Sequence, residues 1–132
     1  MMPEKAKEEV KTLVAQGVDV ELIEANGQCY ALVRKIKVNS PPWSAAEFDI
    51  LIAVPAAYDA GALDGFYIAL PYKFNDGEHA KVNGGTIDAS GRQWRQVSWH
   101  YLDGKAWRRG LDSLETHIVH CRGFFLERGV KG

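Results

Sequence analysis

The sequence predicts an α+β fold: an N-terminal helix, a four-stranded antiparallel meander sheet, a long irregular segment, and a C-terminal helix packed on the sheet's apolar side. Three observations carry that expectation. Apolar residues near both ends of the chain recur at three- and four-residue spacings, the period of a helix with one buried face. Between 18 and 70 they alternate or run together in stretches of strand length, bounded by turn-forming residues. From 72 to 110 neither period persists, and Gly, Asn, Asp and Ser recur among three tryptophans.

The first helix is expected over residues 3 to 16, where Ala6, Val10, Leu13 and Val14 share one side and the Glu/Lys run forms the wet face. Gly17 ends it, because only glycine enters the left-handed region without steric cost. Val18, Val20 and Leu22 alternate into Asn26-Gly27, a dipeptide suited to a tight hairpin turn, and residues 28 to 38 return as the partner strand. Ser40-Pro41-Pro42-Trp43 reads as a loop. Phe48 to Val54 is a third strand closed by Pro55, and Phe66 to Leu70 a fourth stopped by Pro71, which has no N–H to give to a sheet. The stretch from 72 to 110 is long enough to be a functional loop rather than a connection. In the last helix Leu111, Leu114, Ile118, Cys121 and Phe125 lie along one face, with Asp112 and Glu115 as the expected capping pair.

At 132 residues the chain is the size of one domain, and 46% hydrophobic with 25% charged residues is an ordinary globular composition. A net charge of −1 provides no broad positive field, so nucleic acid is not the expected partner. Two cysteines, Cys29 and Cys121, are too few for a disulfide framework. The opening residues lack the apolar run of a signal peptide and no segment reaches membrane-spanning length, so the expected location is the cytoplasm, without a membrane partner.

Particular residues go further than periodicity. Phe48 to Val54, then Pro55-Ala56-Ala57-Tyr58, Leu63-Asp64-Gly65-Phe66-Tyr67 and Pro71, resemble the strand and Pro-x-x-Tyr segment of the E2/UBC fold of ubiquitin-conjugating enzymes. Gly91-Arg92-Gln93-Trp94, Ser98-Trp99-His100, Trp107-Arg108-Arg109-Gly110 and Asp112-Ser113-Leu114-Glu115-Thr116-His117 resemble the branch known as prokaryotic E2 family E. The resemblance covers roughly residues 18 to 128 and implies a UBC-like fold. It also implies a pathway of ubiquitin-like conjugation or sulfur carriage, with three partners: a ubiquitin-like protein, a ThiF-type adenylating enzyme that activates it, and a JAB-type metalloprotease. Catalytic members of the wider superfamily hold the ubiquitin-like C-terminus as a thioester, since a thiolate attacks the activated carbonyl and afterwards leaves readily. Their cysteine precedes the tryptophan that matches Trp107, which places it near Trp99 and His100, and neither of these is such a nucleophile. The usual His-Pro-Asn signature is replaced by Ile87-Asp88-Ala89-Ser90, and Asp59 follows Tyr58 where proline is usual. The expectation is therefore an E2-like binding module without conjugating activity, needing no cofactor; the alternatives are an active conjugating enzyme using Cys121 or chemistry around His100, and a structural subunit that keeps only the fold.

The remaining candidates follow from residue chemistry. Cys29 in its strand and Cys121 on the apolar helix face are expected to be buried, where a thiol behaves as a small apolar group. A catalytic Cys121 would need that face to open on a cleft. His100 matches the family pattern where the reactive residue would stand, and could accept a proton or orient a loop. His117, His120 and Cys121 have helical ligand spacing but lack a second cluster, so no metal is expected. Trp94, Trp99 and Trp107, with His100, Arg108, Arg109 and His117, form the candidate binding set. Aromatic rings supply contact area, and guanidinium groups suit the carboxylate of a ubiquitin-like tail.

Overall fold

In the computed structural model, which describes residues 2–40, 42–75, 77–79, 81–99, 107–108 and 111–126, two helices cover one face of an antiparallel sheet. Helix α1 (Glu4–Ala15) ends as its sequence predicts: Gly17 takes φ +90°, and the Val18 N–H closes back on the Leu13 carbonyl at 3.0 Å. Of its expected apolar side, Ala6 and Leu13 are buried, whereas Val14 is 52% exposed. Val14 lies about 100° around the helix from Leu13, enough to turn it outward.

Strands β1 (Val20–Ala25) and β2 (Gln28–Lys37) form the predicted hairpin, with Asn26 and Gly27 at φ 57° and 71°. Strands β3 (Glu47–Val54) and β4 (Phe66–Ala69) extend the meander. The sheet does not stop at the four strands expected. Strands β5 (Thr86–Ala89) and β6 (Arg92–Val97) lie inside the segment read as irregular and complete a six-stranded order β1-β2-β3-β4-β6-β5. Their two-residue turn is Ser90-Gly91, at φ 52° and 74°, the same left-handed pair that Asn-Gly supplies in the first hairpin. The hairpin escapes periodicity because β6 carries only Trp94 and Val97 as buried residues, and these point to opposite faces.

Strand alternation therefore feeds two cores. On the helix side, Cys29, Ala31, Val33, Ile50, Ile52, Val54, Phe66 and Ile68 meet Ala6 and Leu13 of α1 and the inner face of helix α2 (Leu114–Leu126). On the other side, Tyr30, Leu32, Leu51, Ala69, Ala89 and Trp94 form a smaller core. The sheet curls around that second core: Asn26 Nδ2 in the first hairpin donates to the Asp88 carbonyl of β5 at 3.0 Å, joining the two edges of the sheet. Asp49 pins the same side, accepting from the Lys35 N–H at a β2 bulge (3.0 Å) and from the Arg92 guanidinium (2.6 Å). Trp94, fully buried, donates its indole N–H to the Ala89 carbonyl at 2.9 Å, while the Arg92 guanidinium lies 4.9 Å from its ring.

A cluster of aromatic rings fixes the loops after β2 and β4 to the C-terminal half of α2. Trp43 meets Phe74, Tyr72, His79, Phe124 and Phe125, with ring centroids 4.9 to 6.0 Å apart. Backbone bonds from Ser44 N–H to the Lys73 carbonyl and from Asn75 N–H to the Pro42 carbonyl, each 2.9 Å, tie the loops together.

Candidate functional site

The residues singled out by sequence gather along α2, and its N-terminus is built first. Ser113 and Thr116 form the capping box: the Ser113 hydroxyl accepts from the Thr116 N–H at 3.4 Å, and the Thr116 hydroxyl accepts from the Ser113 N–H at 2.8 Å. The expected pair Asp112 and Glu115 does not form, because Asp112 is taken by Arg108. Its carboxylate accepts the Arg108 backbone N–H at 2.7 Å and both Nε and a terminal nitrogen of the guanidinium, at 3.4 and 3.2 Å. Those bonds hold Asp112 below the ordinary carboxylate range and push Arg108 further up. Leu111, read as the first member of the buried stripe, precedes the helix and is 69% exposed.

Glu9 reaches this N-terminus from α1. Its Oε1 accepts the Leu114 N–H at 2.9 Å, an amide that has no partner within the helix, and the Tyr58 hydroxyl at 2.7 Å. The negative charge also lies at the positive end of the helix dipole. Burial first, and the Glu9 carboxylate second, push the Tyr58 phenol far above its ordinary value, so it remains a donor. Glu9 was expected on the wet face of α1. It stands three residues after Ala6 and four before Leu13, which puts it on the inner face, and that spacing is the signal that could have identified it.

One turn on, His117 is fully buried and its Nε2 lies 2.9 Å from the Gly65 carbonyl. A carbonyl only accepts, so Nε2 carries the proton and donates. Burial outweighs that bond and lowers the imidazole from 6.5 to about 4, leaving the ring neutral at pH 7. Cys121 follows on the same face with no exposure, and burial pushes its thiol well up. Cys29, 3% exposed among the helix-facing side chains of β2, is raised by burial and by the nearby Glu24 charge.

Trp99 and Trp107 flank the helix at separate points. The Trp99 indole N–H donates to the His120 carbonyl at 2.8 Å, its ring stacks on His120 and touches Phe124, and Lys81 Nζ stands 5.9 Å above it. Trp107 packs against Tyr58 at 5.9 Å, and its indole N–H has no partner among the described residues. Both indoles are half-buried, while the Arg108 side chain is 66% exposed. The structure thus brings Trp99 to the surface of α2, Arg108 to the turn before it and His117 to its buried face, while Trp107 packs on Tyr58. Trp94 stands apart, sealed in the core on the opposite face of the sheet. His100 and Arg109 lie outside the described residues. Among the described residues no cluster of three His, Cys, Asp or Glu side chains is arranged to hold a metal ion.

The helix–sheet–helix order, the Pro55 to Tyr58 segment against α2, and the missing surface thiol are the setting for one comparison. The model of prokaryotic E2 family E matches residues 6–126. The chain belongs to that family. No curated protein and no solved structure matches the sequence. As a member of prokaryotic E2 family E the chain is E2-like, and its α+β architecture is compatible with an E2-like fold extended by the β5–β6 hairpin. No described helix is long and apolar enough to cross a membrane.

Proposed function

We propose that this member of prokaryotic E2 family E is a non-catalytic module of a ubiquitin-like conjugation pathway, which binds or positions a ubiquitin-like protein and its ThiF-type activating enzyme in the cytoplasm. The observation that carries this reading is the state of its thiols. The chain has two cysteines, and Cys29 and Cys121 are 3% and 0% exposed. A thioester requires a thiolate that can reach an activated carbonyl. Here burial raises both thiols, which depletes the thiolate, and presenting either sulfur would open the core that holds the helices to the sheet.

Binding is assigned to the surface along α2. Trp99 and Trp107 each offer a half-buried indole, rigid contact area at low entropic cost, and Arg108 adds an exposed cation for an acidic tail or carboxylate. Its guanidinium is already oriented by Asp112, which reduces the ordering cost of a second carboxylate. His117 contributes from inside, by fixing α2 to the Gly65 turn, rather than by touching a partner.

Calorimetric titration with the ubiquitin-like protein and with the activating enzyme, for the wild type and Arg108→Glu, tests this reading. Binding without a covalent adduct, weakened by Arg108→Glu, is the expected result. No affinity for either protein would leave a structural subunit that keeps only the fold, and a reducible adduct lost in Cys121→Ser would make the chain a conjugating enzyme.

A further inference from the structure

His79 belongs to none of the machinery above, yet its side chain is enclosed, at 2% exposure. Its ring stacks on Trp43 at 5.6 Å with an interplanar angle of 6°, and packs against Phe74 at 4.8 Å and Phe124 at 4.7 Å. Three bonds shape the backbone around it. The Tyr72 hydroxyl accepts the His79 N–H at 2.9 Å, the His79 carbonyl accepts the Val82 N–H at 2.9 Å, and His79 Nδ1 accepts the Lys81 N–H at 3.0 Å. A backbone amide can only donate, so Nδ1 must present a lone pair and the ring is neutral with its proton on Nε2. Protonating Nδ1 would remove the acceptor and set two N–H groups against each other inside an aromatic enclosure.

We propose that His79 is a protonation-sensitive latch, which clasps its loop onto the C-terminal half of α2 when neutral and releases it on acidification. Among the described residues, the ionisable and charged groups on the elements packed against it are Tyr72 and Lys81 on its own loop, Glu78 paired with Arg95 of β6 at 3.0 Å, and His120, four residues before Phe124 on α2. Loop 39–45 brings Trp43 to the ring, and the described residues of that loop carry no charged side chain. Release would uncover Phe124 and Trp43 beside Trp99, next to the surface assigned to partner binding, so the latch couples that surface to pH.

Amide hydrogen exchange, corrected for the intrinsic pH dependence, reads the latch at the Lys81 and Val82 N–H groups. A released imidazole titrates near 6.5, so if only the neutral ring can be clasped, opening becomes about ten-fold more frequent between pH 7.5 and pH 5.5. His79→Asn keeps an acceptor oxygen in the place of Nδ1 and does not titrate, so its Lys81 and Val82 protection should be equal at the two pH values. Amides of Ile118 and Val119 in α2 should hold in both proteins. Equal protection at both pH values in the wild type, or the same ten-fold change in His79→Asn, would overturn the proposal, the latter by assigning the effect to another group. Should the variant not fold, the wild-type ring resonances decide: a midpoint near 6.5 with unchanged Lys81 protection also overturns it.

Discussion

Acidification should destabilise this protein through His117 in particular, and the size of the effect follows from its site. The imidazole is buried without exposure, donates to Gly65, and has its proton affinity lowered from 6.5 to about 4. The sign follows from proton counting. Above about pH 6.5 the ring is neutral in both folded and unfolded chains, and its contribution to stability is complete. Below that value the unfolded chain takes up a proton that the folded one refuses, so stability falls by about 1.4 kcal/mol per pH unit until the folded ring itself titrates near 4. Between pH 7 and pH 5 the loss assigned to His117 is about 2 kcal/mol. Urea unfolding at the two pH values, for the wild type and His117→Gln, isolates it. The glutamine amide donates to Gly65 as Nε2 does but carries no titratable group, so the variant should lose about 2 kcal/mol less than the wild type on acidification. Equal losses in the two proteins would refute a buried, neutral His117.

Three further substitutions probe the supports of α2 and the packing beside β6. Glu9→Ala removes the acceptor of both the Leu114 N–H and the buried Tyr58 hydroxyl, and should destabilise by about 1–3 kcal/mol in urea titration, with Glu9→Gln recovering much of the loss. Ser113→Ala breaks the capping box at a cost of about 1 kcal/mol, a fall of about 3–5 °C in calorimetric Tm, whereas Glu115→Ala should leave Tm nearly unchanged. Gly84→Ala would place a methyl 2.6 Å from Gln96 Cβ, where the Gln96 backbone exchanges hydrogen bonds with Gly84 and Gly85. Overpacking there should cost about 1–3 kcal/mol and raise hydrogen exchange at the Gln96 amide; a neutral effect would mean that the strand yields freely.

What was legible in the sequence was what depends on neighbours along the chain. Asn26-Gly27 and Gly17 dictate their own backbone conformation, and continuous apolar runs such as Ile50 to Val54 dictate a strand buried on both faces. The β5–β6 hairpin was not legible as a sheet element. Its apolar residues are few and are shared between two cores, so no single-face alternation develops, although Ser90-Gly91 between Thr86 to Ala89 and Arg92 to Val97 was a turn signal of the right length. Competition for one carboxylate explains the helix cap: Asp112 is as good a cap as Ser113 by residue type, but the neighbouring Arg108 claims it. At the candidate site the sequence sufficed to locate both cysteines in the interior, but it did not place the segment that carries Trp99, Trp107 and Arg108 relative to the last helix. It did not separate Trp94 from them, because the direction of one indole in β6 depends on the register of pairing with β4, a contact formed only in the folded sheet. His79 was invisible for the same reason, since the rings that enclose it come from residues 43, 74 and 124.

Whether a thiol of this chain ever carries a ubiquitin-like protein can be read on a nonreducing gel. The chain, Cys29→Ser and Cys121→Ser would each be incubated with the cognate activating enzyme, ubiquitin-like protein and ATP. A non-catalytic E2-like module predicts a charged activating enzyme and no reducible adduct on any of the three proteins. A reducible adduct on the wild type that disappears in one variant would contradict it, and would show that the core opens to present that sulfur.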